Sequence, residues 1–198
     1  MSEVDGVILA AGLSTRSGRF KMMLPLGGKT VLEKSIEGME AIVLRIYVVV
    51  GWQAERIQAL LAGYDKVETV LNEQFRAGMF SSVQVGIARV RAPRFFLLPG
   101  DCPLVGRAVY VQLLAAAGDI VVPTFGGKTG HPVLFRSQLI PEILAQPEGT
   151  TLRDYVYAKG YRAVEVDDQG ILIDLDTPED YEAMRTFIKC EFDNKRVS

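Results

Sequence analysis

Val7-Ile8-Leu9-Ala10-Ala11-Gly12-Leu13-Ser14-Thr15-Arg16, followed by Gly18 and Lys21, opens on an apolar run and passes directly into small residues and two cations. The run reads as a buried strand. The small residues after it let backbone N–H groups approach anionic oxygens that a bulkier side chain would hold away, and Arg16 and Lys21 supply countercharge. A strand leading into such a turn is the start of a phosphate-binding βα unit, and the rest of the chain repeats its rhythm.

Short β-branched or aromatic runs alternate with longer amphipathic segments, the pattern of an α/β fold around a mainly parallel sheet. Strands are expected at 6–10, 46–50, 67–71, 95–98 and 120–123, and helices at 30–40, 53–62, 81–89, 106–117, 137–145 and 178–189. Ser81 reads as a cap for the third helix. Tyr161–Val166 and Ile171–Asp174, separated by Asp167-Asp168-Gln169-Gly170, read as a strand pair with a turn that carries an antiparallel element. No repeat or linker divides the chain, so residues 1–190 are expected to form a single domain, with 191–198 a polar, frayed tail.

Composition narrows the function. Of the 198 residues 48% are hydrophobic and 23% charged, and the formal net charge of -2 leaves no electrostatic footprint for nucleic acid or an anionic membrane. Two cysteines, Cys102 and Cys190, make neither a disulfide framework nor a four-ligand zinc site. The acidic N-terminus and the lack of an apolar run of about 20 residues point to a cytoplasmic protein. A Gly-x-Ser-x-Gly elbow, a Gly-x-x-x-x-Gly-Lys-Ser/Thr loop and a Gly-x-Gly-x-x-Gly fingerprint are all missing, which disfavours covalent hydrolases, ordinary ATPases and hydride-transfer enzymes.

In a parallel sheet, loops at the carboxyl ends of the strands gather along one edge. There, Pro99-Gly100-Asp101-Cys102-Pro103 holds Asp101 in a rigid turn suited to a metal-directed carboxylate; a cap for the following helix is the weaker reading, since it explains the aspartate but not the surrounding glycine and proline. Asp174-Leu175-Asp176-Thr177-Pro178-Glu179-Asp180 offers a second carboxylate cluster; Thr177 with Asp180 also has the spacing of a capping box, with Pro178 at the first helical position. Asn72, Gly78, Met79, Ser81 and Ser82 put an amide and two hydroxyls around a glycine turn that could bind a base, a sugar or nothing. His131, the only histidine, could be a structural hydrogen-bonding group or a ligand contact.

Taken together, four blocks resemble the molybdenum cofactor nucleotidyltransferases, most closely the cytidylyltransferases among them. They are Leu9-Ala10-Ala11-Gly12-x-Ser14-x-Arg16-x-Gly18-x-x-Lys21 with Leu24–Lys29, Asn72 through Gly78-Met79-x-Ser81-Ser82, Gly100-Asp101-x-Pro103-Leu104-Val105, and Gly130-His131-Pro132-Val133 with Asp174-x-Asp176. The resemblance implies a three-layer α/β/α Rossmann-like fold with a mainly parallel sheet. It implies Mg²⁺-dependent transfer of a nucleoside monophosphate from an NTP to a phosphate of molybdopterin, and a molybdoenzyme as possible recipient of the product. It also implies that Arg16, Lys21 and Asp101 are catalytic and that Asp101 and Asp176 hold the metal. Nucleotide contacts fall to Leu9, Ala10, Ala11, Gly12, Ser14, Arg16, Lys21, Asn72, Ser81, Ser82 and Gly100, and acceptor contacts to Gly78, Met79 and His131.

Guanylyl-transferring relatives have a second glycine where this chain has Ala11, and the added methyl favours the smaller cytosine ring, hence CTP. Ser17 and Cys102 depart from the family pattern of methionine at the first position and glutamine or methionine at the second. Neither departure removes a charge, but both make the acceptor less defined. Three other readings share the first block or the cofactor: nucleotidyl transfer to a sugar or polyol phosphate, guanylyl transfer to the molybdenum cofactor, and a non-enzymatic carrier of the cofactor.

Overall fold

The computed structural model describes residues 3–13, 20–147 and 149–196, with side chains as far as Ile188. Ten strands and seven α-helices follow in the order β1 (Val4–Leu9), β2 (Pro25–Leu26), β3 (Lys29–Thr30), α1 (Val31–Glu40), β4 (Ile46–Val50), α2 (Ala54–Leu61), β5 (Val67–Leu71), α3 (Met79–Ile87), β6 (Arg94–Pro99), α4 (Arg107–Ala115), β7 (Ile120–Phe125), β8 (Lys128–Thr129), β9 (Val133–Arg136), α5 (Ile140–Leu144), α6 (Leu152–Lys159), β10 (Arg162–Glu165) and α7 (Pro178–Arg196). The main sheet has the order β10-β7-β9-β6-β1-β4-β5, with β8 on β7, and β2 and β3 form a separate hairpin.

Strand β1 lies between β4 and β6, parallel to both, and all six of its residues are buried. Burial on both sides is why its sequence runs apolar instead of alternating. Even-numbered Val4 and Ile8, with Ala10 just past the strand, enter one core, which includes residues of α1, α2 and α4; odd-numbered Val7 and Leu9, with Ala11, enter the other, which includes residues of α3, α5 and α6. The result is three layers. A smaller core formed by Leu26, Val31, Leu175, Met184 and Ile188 seats α7 against the β2–β3 hairpin.

Local chemistry sets several boundaries. Thr30 and Glu33 form a reciprocal capping box at α1, Thr151 and Asp154 form another at α6, and Thr177 and Asp180 exchange the same pair of bonds at α7. These are helix starts that a sequence can specify by itself. The third helix departs from expectation, because Gly78 is its N-cap and the Ser81 hydroxyl donates back to the Gly78 carbonyl at 2.8 Å.

Larger departures come from long-range contacts. The expected strand pair at 161–174 does not form: β10 pairs in parallel with β7, and Gln169–Leu172 is a 3-10 turn. One carboxylate explains the turn, since Asp168 accepts from Gly170 N at 2.8 Å and from Gly106 N at 2.9 Å, drawing the segment across to the loop before α4. The antiparallel element is β9, held between β6 and β7. Segment 137–145 divides into a 3-10 turn, Ser137–Leu139, and the short α5. Residues expected to fray continue α7 to Arg196.

Gly86 lets α3 lie on the sheet, because a Cβ there would meet Val7 Cγ1 at 2.6 Å and Val49 Cγ2 at 2.7 Å. Gly86→Ala gains up to about 1 kcal/mol of helix propensity but overpacks two fully buried, χ1-restricted valines, which costs about 1–3 kcal/mol. A net fall in thermal midpoint is therefore expected, and a rise in differential scanning calorimetry would show that α3 can move off the sheet.

Candidate active site

The carboxyl ends of β1 and β6 lie side by side, paired in register as far as Leu9 opposite Pro99, and Gly100 N donates to Leu9 O at 2.9 Å. Gly100 makes this approach possible. A Cβ there would come within 3.0 Å of both Leu9 O and Met22 Sδ. Its carbonyl accepts from the buried Ser35 hydroxyl at 2.9 Å, and the Asp101 carbonyl accepts from Leu175 N at 3.0 Å. Thus α1, β6 and the segment before α7 are tied together within two residues of chain.

These ties converge on Lys21, which is buried at 7% exposure in the 3-10 turn after the β1 loop. Its ammonium lies 2.7 Å from Asp176 Oδ1 and 3.6 Å from Asp101 Oδ2. Burial raises the Asp101 pKa from its ordinary value; the Lys21 charge works against that rise, and Asp174 and Asp176 add to it. Asp101 caps no helix, since α4 begins at Arg107 with Gly106 as its N-cap. Cys102 packs in the core at 2% exposure, its thiol pushed well up by burial.

The carboxylate donors are hard oxygens. Among the described residues no three His, Cys, Asp or Glu side chains are arranged to hold an ion by themselves. Mg²⁺ is commonly held by one or two carboxylates and completed by substrate phosphate and water, so Asp101 and Asp176 suit such an ion, and its charge would relieve the crowding of Asp101, Asp174 and Asp176.

Other predicted residues fall into distinct groups. Ser14, Arg16 and Gly18 lie outside the described residues. Leu9, Ala10 and Ala11 are core side chains, whereas a Cβ on Gly12 would meet no described atom within 4 Å. Ala11 directs its methyl inward: its Cβ and Phe75 pack so closely on Gly51 that a Cβ at Gly51 would stand 3.0 Å from it.

Asn72 is buried and donates to Ser81 Oγ at 3.0 Å and Ser82 Oγ at 2.9 Å, while its Oδ1 accepts from Gln74 N at 2.9 Å. Both of its amide protons are thus used inside the protein, and the trio holds the 72–78 loop onto α3. Gly78 begins that helix with a φ of 105°, and Met79 follows it at 68% exposure.

His131 precedes β9, and its backbone N–H donates to Ile171 O at 2.9 Å. Its Nδ1 is buried with no hydrogen-bond partner among the described residues, and burial lowers the imidazole pKa to about 4. The ring is neutral at pH 7. Sequence reasoning overlooked Ser35 and Asp168. Ser35 left a signal, as the polar member of the stripe Val31, Leu32, Ser35, Ile36 and Met39 on the buried side of α1, whereas Asp168 left none beyond its place in a turn.

Residues 6–164 match the model of the MobA-like NTP transferase domain, and the chain belongs to that family. It is a nucleotidyltransferase. It is 29% identical to a molybdenum cofactor cytidylyltransferase of Escherichia coli (strain K12), over 91% of this chain and 95% of that one. It is 30% identical to a molybdenum cofactor guanylyltransferase of Shewanella sp. (strain MR-4), over 89% and 92%. The crystal structure of Rv0371c of Mycobacterium tuberculosis H37Rv in complex with manganese superposes with a TM-score of 0.77 at 26% identity, covering 93% of this chain and 98% of that one. No helix among the described residues is long and apolar enough to cross a membrane.

Two stability measurements test these environments. Asp101→Asn removes a carboxylate whose ionised form is disfavoured in place, so the thermal midpoint at pH 7.5 should stay level or rise; a marked fall would assign Asp101 a net stabilising charge. For His131 the unfolded state binds the extra proton between pH 6.5 and about 4. Stability should therefore fall on acidification through that window, by up to roughly 3 kcal/mol. His131→Gln should flatten that part of the pH profile, and an unchanged profile would refute the buried neutral ring.

Proposed function

We propose that this enzyme transfers CMP from CTP to the phosphate of molybdopterin or its molybdenum form, releasing pyrophosphate, with Mg²⁺ as the working metal. The observation that carries the reading is the buried Lys21 ammonium between Asp101 and Asp176 at the end of β1. The named activity of the Escherichia coli relative and the manganese in the Mycobacterium tuberculosis structure support it.

In the reaction an oxygen of the acceptor phosphate attacks the α-phosphorus of the nucleotide. A new P–O bond forms, the α–β anhydride bond breaks, and pyrophosphate leaves with the electron pair. The attacking oxygen is already anionic near neutral pH, so no general base is required; what is needed is charge neutralisation and in-line placement. Arg16 and Lys21 neutralise the triphosphate, while Asp101 and Asp176 are the residues that would hold Mg²⁺. When bound, the metal supplies further charge stabilisation on the phosphoryl oxygens.

Nucleotide contacts are assigned to the loop from Gly12 through Ser14 and Arg16, with Leu9, Ala10, Ala11 and Gly100 shaping its backbone. Asn72, Ser81 and Ser82 contribute by holding the 72–78 loop in place. Gly78, Met79 and His131 face the acceptor. The preference for cytosine is assigned to Ala11, whose methyl packs inward beside Gly51 and Phe75.

Guanylyl transfer is the competing reading, favoured by the Shewanella relative. Pyrophosphate release measured with each NTP, with and without molybdopterin, separates the two. CTP with molybdopterin should give the fastest release, and Asp101→Asn should reduce it by at least about 100-fold, the scale of losing a main electrostatic group. Faster release with GTP would overturn the base assignment, and a wild-type rate in Asp101→Asn would overturn the metal assignment.

A further inference from the structure

Helix α1 buries Val31, Leu32, Ile36 and Met39 together with one polar side chain, Ser35, at 2% exposure. By propensity alanine would serve a buried helix position better, and a hydroxyl is tolerated there only when it is bonded. Its single proton has two acceptors within reach: Val31 O of its own helix at 3.2 Å and Gly100 O at 2.9 Å. The closer acceptor belongs to a buried residue of another element. The hydroxyl thus joins α1 to the turn that carries Asp101.

That bond has a geometric consequence. The Gly100–Asp101 peptide is planar, so the direction of the Gly100 carbonyl also sets where the nitrogen and Cα of Asp101 lie. The next peptide plane is held as well, since Asp101 O accepts from Leu175 N at 3.0 Å. Pinning both planes fixes the backbone at Asp101 and with it the direction of the Cα–Cβ bond. Leu175 supplies a main-chain donor to this arrangement; Ser35 supplies a side chain that substitution can remove.

The same helix is bonded to the other side of the site. Val31 N donates to Leu24 O at 3.0 Å, Leu24 N donates to Lys21 O at 3.1 Å, and the capping box of Thr30 and Glu33 fixes the helix start. One helical turn, from Val31 to Ser35, therefore spans from the turn of Lys21 to the turn of Asp101, whose charged groups lie 3.6 Å apart.

We propose that Ser35 is a positioning residue of the transferase: through the Gly100 carbonyl it aims the Asp101 carboxylate and holds its spacing from Lys21 and Asp176. This rests on the assignment of Asp101 to the metal made above.

The test compares wild type with Ser35→Ala and with Ser35→Cys, which is close in size and a weak donor. Mn²⁺ uptake by the full chain, with CTP or separately with GTP and without acceptor, is followed by electron paramagnetic resonance. Pyrophosphate release is measured against Mg²⁺ concentration. Ser35→Ala should bind Mn²⁺ about tenfold more weakly, the lower end of the loss when a group supporting a metal ligand is removed. Its Mg²⁺ requirement should rise and its kcat fall, while the nucleotide KM stays within about twofold of wild type. Ser35→Cys should lie between the two, and it carries the test alone if Ser35→Ala does not fold. A lowered thermal midpoint with wild-type Mn²⁺ affinity and Mg²⁺ dependence would make Ser35 a packing residue only and overturn the proposal. Asp101→Asn separates this from the metal reading, since it should weaken Mn²⁺ uptake at least about tenfold. That loss, with wild-type behaviour of both Ser35 variants, overturns the positioning role alone; wild-type uptake in Asp101→Asn overturns the metal assignment. Uptake by wild type no greater than by nucleotide alone overturns both.

Discussion

A buried ammonium held between two carboxylates organises this molecule. Lysine is almost never buried unless paired, so placing Lys21 beneath the surface obliges Asp101 and Asp176 to come to it. Those two residues arrive from distant parts of the chain, one after β6 and one before α7. Their meeting joins the β1 loop, the β6 loop and the start of the last helix into one wall.

Much of the surrounding structure serves to keep that meeting in register. Ser35 fixes the Gly100 carbonyl from α1, Leu175 fixes the Asp101 carbonyl, and Asp168 binds Gly106 to Gly170. These are hydrogen bonds within a low-dielectric interior, where satisfied polar groups rigidify and unsatisfied ones are costly. The crowding of Asp101 by Asp174 and Asp176 is tolerated in that setting because a cation offsets it, and the same arrangement suits phosphoryl chemistry, in which positioning and charge outweigh proton transfer.

How legible this was in the sequence differed with the range of the interactions. Strands β4 and β5 were expected at the limits observed: β4 is a fully buried, continuous apolar run, whereas β5, at the edge of the sheet, sets Glu68 and Thr69 among its apolar residues and leaves all but Val70 at least partly exposed. The capping box at α7 was equally plain, since its partners stand three residues apart. Asp101 was identified as a site residue, but whether it capped a helix or faced the centre depended on where α4 begins. The strand pair drawn at 161–174 failed because period-two alternation says nothing about which partner a strand takes. Beta-10 found an open edge on β7, and Asp168 drew the following residues elsewhere. Asn72, Ser81 and Ser82 were recognised as a group, while only the fold showed that they bond one another.

By itself, then, the sequence determined the α/β class, the capped helix starts and the identities of the charged residues, because periodicity, turn chemistry and local capping are short-range properties of the chain. Tertiary structure alone decided that Lys21 lies between Asp101 and Asp176, that Ala11 turns its methyl inward and that His131 stays neutral. Each of those depends on burial and on partners far away in sequence, and neither is fixed until the layers pack.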